Sequence, residues 1–280
     1  MEKIKLLYKS YGVTVYHSKG ETDKKIVFVH GGALDNAMMS WKEVIELLGK
    51  EYDIYAVDML GFGESDKPDI QYSIPVYVEF LYDILRQLNI EKTNLVGLSM
   101  GGGISIGFSL SFPQMVNKLT VIGSMGLYSR MPFHSFCRWF VNSRFNSKSY
   151  EWIGKSKSLV RWTINSSLFR DKNKVSDELT DKIYKLIGDP ECSKAWQSFQ
   201  RYELGKKRMT TDLAVHLSEL TMPVLIVNGE KDSGVPVKFA VAASKAIKNS
   251  KLYIMKGCKH WAQKERPEEF TEVLKEFLML

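Results

Sequence analysis

Six short runs of apolar, β-branched residues constrain what this chain can fold into. They occupy residues 24–30, 53–58, 93–99, 117–123, 222–229 and 250–255. Each is continuously apolar rather than alternating, as in strands covered on both faces. Helical spacing appears between and after them. Residues 74–89 place Val78, Leu81, Leu85 and Leu88 on one stripe, and the stretch from Pro267 does the same with Phe270, Val273, Leu274, Phe277 and Leu278. Pro267 suits the first turn of a helix. Alternating strand and helix predicts a mostly parallel sheet with right-handed crossovers and helices on both faces. The segments KIKLLYKS and VTVYHS, around Gly12, predict a hairpin that extends this sheet antiparallel. The expected fold class is therefore α/β, a layered sandwich.

The alternation fails once. Residues 124–221 separate two strand runs by 98 positions, whereas a whole βαβ unit needs only about 30. This excursion is rich in aromatic residues (Phe133, Phe136, Trp139, Phe140, Phe145, Trp152, Trp162, Phe169) and reads as helical. The simplest account is an inserted helical cap over the carboxyl ends of the strands, where open α/β sheets bind ligands. The expected division is a core of residues 1–123 and 222–280 with a cap at 124–221. The excursion also concentrates the chain's charge. Residues 130–174 hold ten Lys and Arg against Glu151 and Asp171, a local +8 in a chain of net charge +7. Such a segment fits an anionic membrane surface or an anionic substrate. The alternative is a solvated basic face whose aromatic residues pack onto the core.

Composition sets outer bounds. A chain of 280 residues has room for one large domain carrying an insertion, and 44% hydrophobic with 25% charged residues is ordinary for a globular protein. The opening MEKIKLLYKSYG lacks an apolar signal region, and no run of 18 apolar residues occurs. A cytoplasmic protein is expected. Cys137, Cys192 and Cys258, odd in number and widely spaced, fit reduced thiols. No nucleic-acid motif, metal-ligand cluster or phosphate-cradling glycine loop appears, so no nucleic acid, metal or cofactor is expected. Oligomeric state is not encoded in any pattern here.

Gly97-Leu98-Ser99-Met100-Gly101 matches G-x-S-x-G between an apolar strand and a helix that stops before Pro113. A serine on such a turn holds strained backbone angles, exposes its hydroxyl above the sheet and points a helix N-terminus at developing negative charge. The competing reading is a serine that merely caps the helix. A serine nucleophile needs a base. Of the five histidines (His17, His30, His134, His216, His260), His260 follows the last strand run and so reaches the carboxyl edge; His30 reads as structural. The base needs a carboxylate to orient it. Asp232, just after the 222–229 run, is preferred to Glu230, which sits closer to the strand end, and to Asp58, whose neighbouring glycines indicate a turn. An oxyanion needs preorganised N–H donors. The backbone amide of Met100 supplies one, and the turn His30-Gly31-Gly32 supplies the other, with Gly32 preferred to Ala33.

The order Ser99, Asp232, His260, together with His30-Gly31-Gly32 and Gly61-Phe62-Gly63-Glu64-Ser65, resembles the α/β-hydrolase superfamily over essentially the whole chain. Serine at the nucleophile position separates it from the similar dehalogenases and epoxide hydrolases, which use aspartate. Ser99-Met100-Gly101-Gly102 and Cys258-Lys259-His260-Trp261-Ala262-Gln263 look like the meta-cleavage-product hydrolases, which cut carbon–carbon bonds in vinylogous diketo acids. That resemblance implies Trp261 in the substrate pocket beside the base, with Leu98 a second pocket candidate. The chain departs from the group in three places. Leu98 stands where asparagine is usual and Lys259 where glycine is usual. Residues 177–187 hold Lys182 and Lys185 but no arginine for a substrate carboxylate. The leading expectation is a carboxylic-ester hydrolase acting on a small-molecule ester or acyl substrate. The alternatives are carbon–carbon hydrolysis, a lipid esterase at a membrane surface, and a non-catalytic ligand-binding protein of the same fold.

Overall fold

The computed structural model describes residues 1–189 and 191–279. Eight strands form one sheet: β1 (Glu2–Tyr8), β2 (Tyr11–Ser18), β3 (Lys25–Val29), β4 (Asp53–Val57), β5 (Thr93–Leu98), β6 (Val116–Ile122), β7 (Val224–Gly229) and β8 (Ser250–Met255). Their spatial order is β1-β2-β4-β3-β5-β6-β7-β8. The first hairpin pairs antiparallel with itself and with β4, and all later pairings are parallel. Each of the six apolar runs has become a strand, and Gly12 sits in the hairpin that extends the sheet.

The helices obey the same local rules. Asn36 caps α1 (Ala37–Leu48) by accepting the Met39 N–H at 2.9 Å, and Ser73 caps α2 (Ile74–Gln87) with Pro75 in the first turn. Further elements are α3 (Met100–Ser111), α9 (Val237–Ala246), α10 (Ala262–Glu265) and α11 (Pro267–Met279). Side chains alternate across each strand, so the sheet has two cores. Leu95 faces a cluster built with α2, α3 and α9, while Val96 faces one built with α1 and α11.

Between β6 and β7 lie α4 (His134–Asn142), α5 (Arg144–Ile153), α6 (Lys157–Ser167), α7 (Asp177–Ile187) and α8 (Lys194–Glu203). The ends of this excursion belong to the core packing: Leu127 and Tyr128 at its start and Leu213 and Leu217 at its close join the α2–α3 cluster. The buried carboxylate of Glu203 ties the last helix down. It accepts the Ile74 N–H at 2.8 Å, the Thr211 N–H at 3.0 Å and the Thr211 hydroxyl at 2.9 Å.

The packing alternative for the excursion's aromatic residues is largely overturned. Phe169 is buried and Phe140 half-buried, but Phe133, Phe136, Trp139, Phe145, Trp152 and Trp162 are all more than half exposed. Their helices use other residues, Val141, Val160 and Ile164, to face inward. No described helix is long and apolar enough to cross a membrane. The three cysteines are unpaired.

Candidate active site

Ser99 stands between β5 and α3 with φ 52° and ψ −112°, a conformation that costs on the order of 1–3 kcal/mol for a non-glycine residue. The backbone around it is locked. Its N–H donates to the Ile122 carbonyl at 2.8 Å, and its own carbonyl accepts from Gly103 at 3.1 Å and Met125 at 3.0 Å. The flanking glycines are required by close approach. A Cβ on Gly97 would strike the Gly101 carbonyl, and one on Gly101 would strike the carbonyls of Val29 and His30. The Ser99 hydroxyl makes no capping bond to α3, so the helix-cap reading fails.

Asp232 lies in the loop after β7 and His260 in the loop after β8. Parallel strands deliver both loops to the same edge as Ser99. Nδ1 of His260 stands 2.7 Å from Oδ2 of Asp232. A carboxylate only accepts, so Nδ1 carries the proton and Nε2 is left with its lone pair. Oδ1 of Asp232 accepts the N–H groups of Gly234 at 2.8 Å and Val235 at 2.9 Å. Both carboxylate oxygens are thus held, and the side chain is fully buried. Gly123, with φ 45°, makes room for the pair: a Cβ there would come within 2.9 Å of the Asp232 carboxylate and 3.1 Å of the His260 ring.

The other histidines are engaged elsewhere. His17 pairs with Asp53 at 2.8 Å, His134 donates to the Gly205 carbonyl at 2.8 Å, and His216 meets Glu219 at 2.7 Å on the surface. Buried His30 accepts the Met59 N–H at Nε2 (3.0 Å) and donates from Nδ1 to the Gly31 carbonyl at 2.6 Å. Both its nitrogens are used, and burial lowers its pKa, so it stays neutral. Buried Asp35 takes the Gly31 N–H at 2.9 Å, which leaves the Gly32 and Met100 amides without partners among the described residues. Burial raises the Asp35 carboxyl above its ordinary range. The rival carboxylates are structural. Asp58 accepts the N–H groups of Ala37 at 2.8 Å and Glu64 at 2.7 Å, and Glu230 accepts that of Gly257 at 3.0 Å.

A cavity of about 360 Å³ opens onto Ser99 and His260, within the range of small-molecule sites. The β3–α1 loop contributes Gly31, Gly32, Ala33 and Leu34, and most of the rest of the wall comes from the excursion together with Trp261. Helix α7 turns Ile183 and Ile187 inward. Its Lys182 pairs with Glu178 at 2.6 Å on the surface, and Lys185 is exposed. The polar side chains that reach the cavity besides Ser99 and His260, such as Asn146, Ser149 and Gln200, are neutral, and among the described residues no Lys, Arg, Asp or Glu lines it. No group of metal-binding side chains occurs among the described residues.

Trp261 lines the cavity as expected, but Leu98 does not. Alternation along β5 sends Leu98 to the same face as Val96, into the α1–α11 core. Sequence reasoning missed two residues that fasten the cavity wall beside the His260 loop. Glu265 accepts the N–H groups of Arg170 at 2.8 Å, Asp171 at 2.6 Å and Lys259 at 3.1 Å. Lys259 donates from Nζ to the carbonyls of Asn165 at 2.8 Å and Ser166 at 2.7 Å. Lys259 had a signal, the departure from glycine; Glu265 had none.

A family model described as the alpha/beta hydrolase fold matches residues 24–267. The 2-hydroxy-6-oxo-6-(2'-aminophenyl)hexa-2,4-dienoic acid hydrolase of Metapseudomonas resinovorans is 29% identical, over 95% of this chain and 88% of its own. The 2-hydroxymuconate semialdehyde hydrolase of Pseudomonas sp. (strain CF600) is 28% identical, over 90% of this chain and 86% of its own. Among solved structures, a serine hydrolase involved in carbazole degradation superposes with a TM-score of 0.82 at 26% identity, covering 99% of this chain and 98% of that one.

Proposed function

Since the chain belongs to the α/β-hydrolase family, we propose that it is a serine hydrolase cleaving carboxylic esters with an apolar acyl chain. The observation that carries this reading is the cavity wall: it is apolar, with neutral polar groups and no cation. Ser99 is the nucleophile, His260 Nε2 takes its proton, and Asp232 fixes the ring and steadies the imidazolium. The amides of Gly32 and Met100 receive the oxyanion. His260 then returns the proton to the leaving alcohol, and water repeats the sequence on the acyl-enzyme. In this reading residues 124–221 act as a cap that holds the acyl chain. The unpaired thiols support a reducing, cytoplasmic setting; burial pushes Cys192 up to about 11 and Cys258 up to about 12.

A second reading, hydrolysis of a carbon–carbon bond in a dienoate ring-fission product, is favoured by the names of the relatives. Such a substrate carries a carboxylate, and an unpaired buried charge is expensive. The positions of α7 that face the cavity are Ile183 and Ile187. Steady-state assays separate the two. Turnover of p-nitrophenyl butyrate or octanoate with little cleavage of a 2-hydroxy-6-oxodienoate supports the ester reading, and the reverse overturns it. Fluorophosphonate labelling that is lost in Ser99→Ala supports catalysis; equal labelling of the variant, or none of either protein, leaves a ligand-binding protein.

A further inference from the structure

The excursion has two faces, and only the inner one serves the cavity. Helix α4 turns Phe140 inward while Phe136 and Trp139, three residues apart, stand out in solvent at 62% and 54% exposure. Helix α5 turns Asn146, Ser149, Tyr150 and Ile153 to the cavity, and on its outer side carries Phe145, Lys148 and Trp152 at i, i+3 and i+7, one stripe. The outer rings adjoin. Phe136 and Trp139 have centroids 5.6 Å apart, and Trp139 and Phe145 6.0 Å. Phe133 is 84% exposed at the head of α4. Contiguous exposed aromatic surface of this kind marks an interaction site.

The charge around these rings identifies the occupant. Arg130, Arg144, Lys148 and Lys155 are exposed, and among the described residues none has an acidic partner. Lys206 shares a surface hollow with Trp139. Between Arg130 and Arg170 the sequence contains one acid, Glu151. Exposed Trp and Phe interleaved with unpaired Lys and Arg are the groups that seat a helix in the interface of an anionic bilayer. A protein partner of opposite charge would satisfy the cations but leave the protruding rings unaccounted for unless it also offered apolar sockets. We propose that the outer face of α4 and α5 docks on an anionic lipid surface, with Phe133, Phe136, Trp139 and Phe145 entering the headgroup–acyl boundary. Because the inner faces of the same two helices line the cavity, docking brings bilayer-borne acyl esters beside their binding site.

The test is co-sedimentation of the full chain with phosphatidylcholine vesicles, with and without phosphatidylglycerol, at low and high salt. Ser99→Ala is run in parallel, so that binding is judged apart from the proposed chemistry. We expect binding to phosphatidylglycerol vesicles at low salt, a blue shift of tryptophan emission on binding, and weakening with salt. The combined variant Phe136→Ser, Trp139→Ser and Phe145→Ser should lose about tenfold or more in partitioning. It should leave hydrolysis of a soluble p-nitrophenyl ester unchanged, since its side chains lie outside the cavity. Absence of binding at low salt overturns the proposal, as does equal binding by the triple variant. So does a dimer in the absence of vesicles that the triple variant dissociates, which would make a second copy of the chain the occupant.

Discussion

At the carboxyl edge of the sheet, Asp232 spends both carboxylate oxygens on three hydrogen bonds and lies fully buried beside His260. A few residues away in space, α4 and α5 hold Phe136, Trp139 and Phe145 out in water. The first region is over-determined: hydrogen bonds to Ile122, Gly103 and Met125 hold the Ser99 backbone, and the glycines on either side have no room for a Cβ. The second is determined by few contacts and faces outward. Geometry that must be accurate to a fraction of an ångström sits on the rigid sheet. The excursion, on the reading proposed above, has only to offer a shape and a surface.

The largest expected effect comes from breaking the rigid side. Ser99→Ala should reduce ester hydrolysis by about 10⁴-fold or more, measured as kcat on a p-nitrophenyl ester. Ser99→Gly should be equally inactive yet gain about 1 kcal/mol in urea unfolding, because glycine adopts the positive φ without strain. If Ser99→Gly is destabilised, the turn is not strained by the serine.

The joint between the two regions comes next. Glu203→Ala leaves the buried N–H of Ile74 and the half-buried N–H of Thr211 without an acceptor and should cost about 2–4 kcal/mol in urea unfolding. Burial raises the Glu203 pKa above its ordinary 4.5. The folded state therefore holds this proton more tightly than the unfolded chain does. Its contribution to stability is full below pH 4.5 and is lost as the pH rises through the folded pKa. Glu203→Gln should flatten that part of the stability–pH curve; an unchanged curve would mean that another group produces it.

The smallest effect sharpens the cavity itself. Ile187→Arg places a cation on the wall that has none. It should shift kcat/KM by about tenfold toward an ester whose acyl chain ends in a carboxylate, a charged hydrogen bond being worth about 1.5–3 kcal/mol before the cost of burial. No shift would mean that the acyl chain does not reach α7.

Much of the candidate site was legible in sequence because a residue just after a parallel strand has one place to go. Strand runs ending near 30, 98, 229 and 255 bring the glycine turn, Ser99, Asp232 and His260 to one rim whatever the helices do. Local rules also located the start of α11 at Pro267. Leu98, a pocket candidate beside the resemblance, lies instead in the α1–α11 core, because the two-residue alternation of β5 turns it to the same face as Val96. Glu203 and Glu265 escaped notice because each joins distant segments, with partners Ile74 and Arg170 lying 129 and 95 residues away in sequence, and a lone glutamate carries no mark of burial.

The excursion divides the same way. Its sequence determined that it would be helical, aromatic and basic, since composition and spacing are local properties. Only the tertiary structure decided that Tyr150 and Ile187 would line the cavity while Trp139 and Phe145 met solvent, and that no lysine of α7 would face inward. A helical period marks out faces but does not say which one finds a partner; that choice is made by packing against strands far away in the chain.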